Sequence, residues 1–270
     1  MPALFVGHGS PMNALEHDNP FVNAWRAVGE SLPRPTAILA VSAHWETRGL
    51  AATAMALPRT IHDFGGFPRA LFEMQYPAPG DPALVARLAD LVAPAPLKRD
   101  AEWGLDHGTW SVLTHMFPEA DIPVVQLSLD AGLDGQGHYD MARRLRPLRD
   151  EGVLILGSGN IVHNLRVMDW DETVPPFDWA VRFDKAIKTA LLTGDVASIL
   201  DPNRLGPQDA WMSIQGPEHY IPLIYALAQK DEGEPLRLFT ERLALKSCSM
   251  TSVMVGGAEI ALPADEKAAA

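Results

Sequence analysis

The stretch "ALFVGHGSP" breaks a short apolar run with His8, set between two glycines and followed by a serine and a proline. Imidazole titrates near neutral pH and is a common metal ligand, so its place where a strand hands over to a tight turn suggests chemistry rather than packing. The pattern recurs. His44 closes "AILAVSAHWE", and His163 lies a few residues past the strand-like run in "GVLILGSGNIVHN". His219, in "GPEHYIPLIYAL", falls on the first turn of a predicted helix, and His107, in "GLDHGTW", sits in a loop just before another. Read singly, each serves equally well as a hydrogen-bonded structural residue; together they are candidates for one pocket. His17, His115 and His138 read as helical or polar surface residues, and His62 in "TIHDFGGFP" is intermediate. The sequence has no HExxH, no CxxC pair and no EF-hand loop, so spacing alone does not specify a metal.

Residues so far apart can meet only if the fold brings them together. Strand-length apolar runs lie at Ala3 to Val6, Ala37 to Ser42, Ile122 to Leu129, Val153 to Leu156 and Ser252 to Val255. Between them come helical patterns with start signals, Asn19-Pro20 before "FVNAWRAVGESL" and Asp81-Pro82 before "ALVARLADLV". "YDMARRLRPLRDEG" and "FDWAVRFDKAIKTALLTGD" also read as helices stopped near a glycine. This alternation predicts an α/β fold, a single domain with a central, at least partly parallel sheet flanked by helices. In such sheets ligands bind beyond the carboxyl ends of the strands, where His8, His44 and His163 are expected. The proline-rich pieces "APAPLK" and "ETVPPFD" read as surface connections within that domain. Residues 1–262 are expected to form one catalytic domain, with 263–270 a frayed tail.

A formal net charge of -12 argues against a nucleic-acid surface or an anionic membrane, either of which calls for a concentrated Lys/Arg face. The single Cys248 excludes an intramolecular disulfide and suits a reducing compartment. The N-terminus lacks the features of a signal peptide, and no apolar run is long enough to cross a bilayer, so a cytoplasmic location is expected.

The motifs "GHGSPMNAL", "AILAVSAHWET", "TIHDFGGFP", "YPAPGDP", "WGLDHGTWSVL", "ADIPVVQLSLD", "GVLILGSGNIVHNLR" and "GPEHYIPLIYAL", in this order, resemble the DOPA-dioxygenase-type members of the class III extradiol ring-cleaving dioxygenases. The resemblance spans nearly the whole chain. It implies a non-haem iron(II) enzyme that opens a small catechol such as L-DOPA with both atoms of O2. Cleavage at the 4,5 position yields seco-DOPA, which can cyclise to betalamic acid; cleavage at 2,3 yields a muscaflavin precursor. By the same resemblance His8, His44 and His219 are the metal ligands, with Glu218 an alternative donor beside His219. His163 is either an active-site base or an additional ligand, and His107 a second histidine that orients or protonates substrate. Asp106 either fixes the tautomer of His107 or caps the helix expected from Thr109. Iron(II) is the expected cofactor, and zinc(II) is an ion the same imidazoles would hold. Ser10, Asn160, Trp45, Trp110 and Arg166 adjoin these motifs but read equally as turn, core and surface residues.

Other functions remain to be weighed. "GSGNIV" lacks the third glycine of a dinucleotide-binding turn, where Val162 stands. "GHGSP" has the wrong order for a serine nucleophile elbow. A zinc-dependent hydrolase, and a noncatalytic metal-binding protein on the same fold, are the alternatives to the dioxygenase.

Overall fold

Apolar runs with little alternation suit strands covered on both faces. The computed structural model describes residues 1–171 and 173–262. The strands, in chain order, are β1 (Ala3–Gly7), β2 (Ala37–Thr47), β3 (Leu50–Thr53), β4 (Leu97–Asp100), β5 (Val124–Asp130), β6 (Val153–Gly159), β7 (Leu236–Phe239), β8 (Leu243–Ala244), β9 (Cys248–Ser249) and β10 (Ser252–Val255). Eight of them form one sheet in the order β4-β3-β5-β2-β6-β1-β10-β7, and β8 pairs with β9. The central four, β5, β2, β6 and β1, are mutually parallel, so their carboxyl ends share one rim. β10 adds antiparallel to β1, and β7 to β10. The α/β class and the partly parallel sheet expected from the sequence are therefore the observed architecture.

Helices cover both faces. The helix Pro20–Ser31 connects β1 to β2 and buries Val22, Trp25 and Val28 on one face of the sheet. The helix Gly135–Arg144, on the way from β5 to β6, buries Met141 and Ala142 on the other. The two crossovers move along the sheet in opposite directions, from β1 past β6 to β2 and from β5 past β2 to β6. Right-handed connections of opposite direction lie on opposite faces, and a crevice opens at the carboxyl ends where they part. Local signals start the helices as expected: Asn19 accepts from the Val22 N–H, and Asp81 accepts from Ala83 and Leu84.

Several expectations need correction. β2 runs on to Thr47, so His44 lies within the strand; the register against β5 shifts between Val41 and Glu46, and pairing with β6 ends at Ser42. His107 is the first residue of the helix His107–Met116, and Asp106 is its cap. "YDMARRLRPLRDEG" is two helices, because Pro147 starts a separate short helix, Pro147–Asp150. "APAPLK" enters β4, a strand whose exposed Lys98 and Arg99 carry no apolar pattern. His115 and His138 are buried, at 7% and 1% exposure. The expected frayed tail, 263–270, lies outside the described residues.

Candidate active site

His8 leaves the end of β1, and its backbone N–H bonds the carbonyl of Gly159 at the end of neighbouring β6. His219 is held against the same strand end, where its carbonyl accepts from the Asn160 N–H at 2.8 Å. The chain passes Gly159 so closely that a Cβ there would strike the His219 carbonyl. His44 projects from the irregular part of β2. Three imidazoles from residues 8, 44 and 219 thereby converge, with one donor atom of each within 4.8 Å of the others.

Hydrogen bonds at Nδ1 orient two of the three rings, His8 and His219. Ser158 donates its only hydroxyl hydrogen to the Gly108 carbonyl (2.5 Å), so at 3.0 Å it accepts from His8 Nδ1. Asp63 Oδ2 lies 3.6 Å from His44 Nδ1, and Glu218 Oε1 lies 3.3 Å from His219 Nδ1. Glu218 is within hydrogen-bond range and favours the ring hydrogen on His219 Nδ1, which leaves its Nε2 lone pair free, whereas Asp63 is too far from His44 Nδ1 to set the His44 tautomer. The inward nitrogens face one another. His8 Nε2 and His44 Nε2 are 3.2 Å apart, and buried His219 Nε2 has no hydrogen-bond partner among the described residues. Burial and the neighbouring rings push His8 and His219 well below the usual imidazole range and His44 to about 3, so the three rings are neutral and able to offer lone pairs to a cation. A divalent ion suits this spacing: metal–nitrogen bonds of about 2.0–2.1 Å place two ligand nitrogens roughly 3 Å apart. The residues present fit a metal.

Two further imidazoles flank this group. His163 stacks on His219, with ring centroids 3.5 Å apart and planes within 7°. Its backbone is fixed by bonding to Ser213 and by bridges to Ile214 and Cys248. Burial, then the charge of His107, pushes its pKa down to about 4. His107 lies 3.9 Å from His44 between ring centroids and is 5% exposed.

Asp63, which the sequence did not single out, organises this side of the site. Its Oδ1 accepts the His107 backbone N–H at 2.9 Å. Its Oδ2 lies 3.0 Å from His107 Nδ1, off the ideal N–H direction but within ion-pair range. Burial opposes its charge, yet the His107 and His44 rings outweigh burial and hold its pKa below the usual value. Asp106 is the helix cap, accepting from the Thr109 N–H and bonding Gln126 Nε2. Burial and the charge of Asp63 raise it to about 6. The quoted motif "TIHDFGGFP" contained the signal, an acid beside a histidine in a Gly/Phe-rich loop, but no periodicity marks which of the two faces the site.

The five histidines and Asp63 line a cavity of about 260 Å³ whose other walls include Phe64, Phe67, Leu165, Met168 and Trp170. Polar groups sit at its base and apolar ones at its mouth, an arrangement suited to a flat aromatic ligand. Trp45 stacks on Trp103 and Trp110 bonds the Ile61 carbonyl, both outside the cavity lining. Asn160 serves structure, donating to the Ser249 carbonyl, and Ser10 caps a short turn while lining the cavity edge. His62 bonds the Met74 carbonyl behind Phe64, and Arg166 is exposed.

A parallel-sheet crevice, a cluster of imidazoles that could hold a metal ion and an aromatic-lined mouth together fit the class of metal-dependent α/β enzymes. Comparison with known proteins then specifies which. Residues 2–249 match the family described as the catalytic LigB subunit of aromatic ring-opening dioxygenase. A 4,5-DOPA dioxygenase extradiol of Escherichia coli (strain K12) is 50% identical over 258 residues, 95% of each chain. The 4,5-DOPA dioxygenase extradiol of Beta vulgaris is 40% identical, over 87% of this chain and 89% of its own. A crystal structure of an uncharacterized protein from Escherichia coli K12 superposes with a TM-score of 0.82 at 44% identity, covering 95% of this chain and 100% of that one. The chain belongs to the LigB family and is an extradiol ring-opening dioxygenase.

Proposed function

We propose that this dioxygenase opens a small catechol, of which L-DOPA is the leading candidate, at a single iron(II) held by His8, His44 and His219. The observation that carries this is the inward convergence of three imidazoles, one ring nitrogen of each within 4.8 Å of the others, at the base of an aromatic-lined cavity. The names of the DOPA-cleaving relatives support the choice of substrate. Bound there, iron(II) supplies chelation of the two catechol oxygens and a path for electrons from the ring to O2, both of whose atoms enter the product.

The protein's own groups handle protons and orientation. Neutral His163, held by its backbone bonds and by stacking on His219, takes a proton from a catechol hydroxyl as it binds, since its depressed pKa leaves it unprotonated at neutral pH. Contact of Asp63 with His107 Nδ1 leaves His107 Nε2 as the edge that accepts a hydrogen bond from the second catechol oxygen, and the proton held by His163 returns from His163 to the opened product. Phe64 and Phe67 enclose the ring and keep bulk water from it.

The test is O2 uptake by anaerobically iron(II)-loaded protein given L-DOPA, with caffeate and protocatechuate for comparison. A yellow product heavier by two oxygen atoms is expected, and its fragmentation distinguishes 4,5 from 2,3 cleavage. In parallel, His163→Gln is expected to keep its iron and lose about 10²–10⁴-fold in turnover. Loss of iron in that variant would instead make His163 a ligand. Iron-loaded wild-type protein that consumes no O2 with any of the three catechols would remove them as substrates.

A further inference from the structure

A second cleft, of about 420 Å³, lies apart from the catechol cavity and shares no lining residue with it. Leu133, Leu200, Trp211, Ile214, Tyr220 and Ile221 contribute apolar walls, and Trp211 is 68% exposed at the surface. Its volume falls in the range of small-molecule sites. All three charged residues lining it are acids: Glu46, Asp130 and Asp134. Asp130 and Asp134 each commit Oδ1 to backbone N–H groups, the former to Gly49 and Gly132, the latter to Gly137, so both are held in place by the fold.

His138 supplies the independent observation. It lines the cleft at 1% exposure, and its buried Nε2 has no partner among the described residues. Its Nδ1 lies 3.3 Å from the hydroxyl of Tyr225, a residue outside the cleft lining, so Nε2 is the ring nitrogen left for a partner from the cleft. Burial keeps the tyrosine proton on its oxygen, and burial also keeps His138 neutral, at about 4. Either Tyr225 donates to Nδ1 or Nδ1–H donates to Tyr225; in the first arrangement, the one a ligand acceptor selects, the ring hydrogen sits on Nε2 as a donor without an acceptor. A buried donor of this kind costs about 1–3 kcal/mol unless something accepts from it.

We propose that this cleft is a ligand site for an aryl-alkyl amine, with its apolar ring against the walls, an acceptor atom on His138 Nε2–H and its ammonium among Glu46, Asp130 and Asp134 beside Trp211. An aromatic face and carboxylates together favour a cation over a neutral or anionic end. The site goes beyond the ring-opening reaction and stands whether or not L-DOPA is the substrate.

The probe is 4-methoxyphenethylamine, which has a ring, an ether acceptor and an amine but no hydroxyl for a metal. It is titrated into the full chain by calorimetry and followed by imidazole ¹⁵N resonances. Saturable one-site binding is expected, with a Kd on the order of millimolar, as suits a fragment of this size. The His138 Nε2 resonance should shift, and 4-methoxyphenylacetate should bind at least about tenfold more weakly. Trp211→Ala and Asp134→Asn should each weaken the amine about two- to fivefold. The exposed position of Trp211 and the retained capping oxygen of the Asn preserve the fold. His44→Ala, which alters only the catechol cavity, should leave amine binding unchanged. Equal affinity for amine and acid, an unmoved His138 resonance at saturation, or full binding in both cleft variants would overturn the proposal.

Discussion

At the scale of single residues, His8 Nε2 and His44 Nε2 lie 3.2 Å apart, a spacing that suits two ligands of one metal ion. Removing one donor leaves the other two with too few bonds to hold an ion. His219→Ala should therefore lower metal content after dialysis by more than the 10–100-fold that loss of an outer partner typically costs. Metal analysis checks this; full retention by His219→Ala together with loss in Glu218→Gln would transfer the ligand role to Glu218. Asp63 acts one step further out. It touches His44 and His107 through one oxygen and the His107 backbone through the other. Asp63→Asn keeps the size and removes the charge, so metal should remain while turnover falls about 10–100-fold. A parallel fall in metal content would show that Asp63 serves chiefly to orient His44.

At the scale of elements, the site depends on how closely the segment 217–227 approaches β6. Gly157 and Gly159 allow this: a side chain on the first would meet the Pro222 carbonyl, and on the second the His219 carbonyl. Gly159→Ala must displace the backbone that carries a metal-ligand candidate. The expected result is a loss of about 1–3 kcal/mol in stability accompanied by weaker metal retention, read by urea unfolding and metal analysis on the same preparation. Unchanged metal affinity would mean the segment shifts without moving the His219 ring. These contacts also explain what was legible in the sequence. Buried strands announce themselves as apolar runs, and the strand-end positions of His8 and His163 follow from the ends of those runs. β4 and β7 lie at the sheet edges, where "LKRD" and "LRLF" need no unbroken apolar pattern, and were not found. The irregularity that turns His44 inward is a register shift between strands, which a single strand's sequence does not encode. Asp63 escaped notice because its partners come from β2 and from the helix that begins at His107. His138 read as a surface residue because "GQGHYDMARR" is polar, although the helix turns that one side chain into the interior.

At the scale of the whole molecule, a chain of net charge -12 must hold segments distant in sequence together against its own repulsion. Among the described residues no helix is long and apolar enough to cross a membrane, and the N-terminal residue is tied to the segment 229–234 through Arg149. That guanidinium, 4% exposed, donates to the Met1 carbonyl at 2.7 Å and the Gln229 carbonyl at 2.5 Å. It completes the set with two bonds of 2.8 Å to Glu234, just before β7. The Met1 ammonium in turn donates to the Arg149 carbonyl at 2.8 Å, so β1, the helix before β6 and the approach to β7 share one fastening. Bonding to Arg149 holds the Glu234 carboxyl at about 2, below its ordinary 4.5. The folded state thus binds the proton less readily than the unfolded chain does, and the stabilisation is complete above about pH 4.5. It is lost as pH falls from there toward about 2. Glu234→Gln leaves a buried cation with weaker partners and should cost about 1–3 kcal/mol at pH 7. Its urea midpoint should also decline less than that of wild type between pH 5 and pH 3. Parallel declines in the two proteins would show that other carboxylates, such as Asp231 beside Arg146, carry the acid sensitivity and that the Arg149 fastening does not.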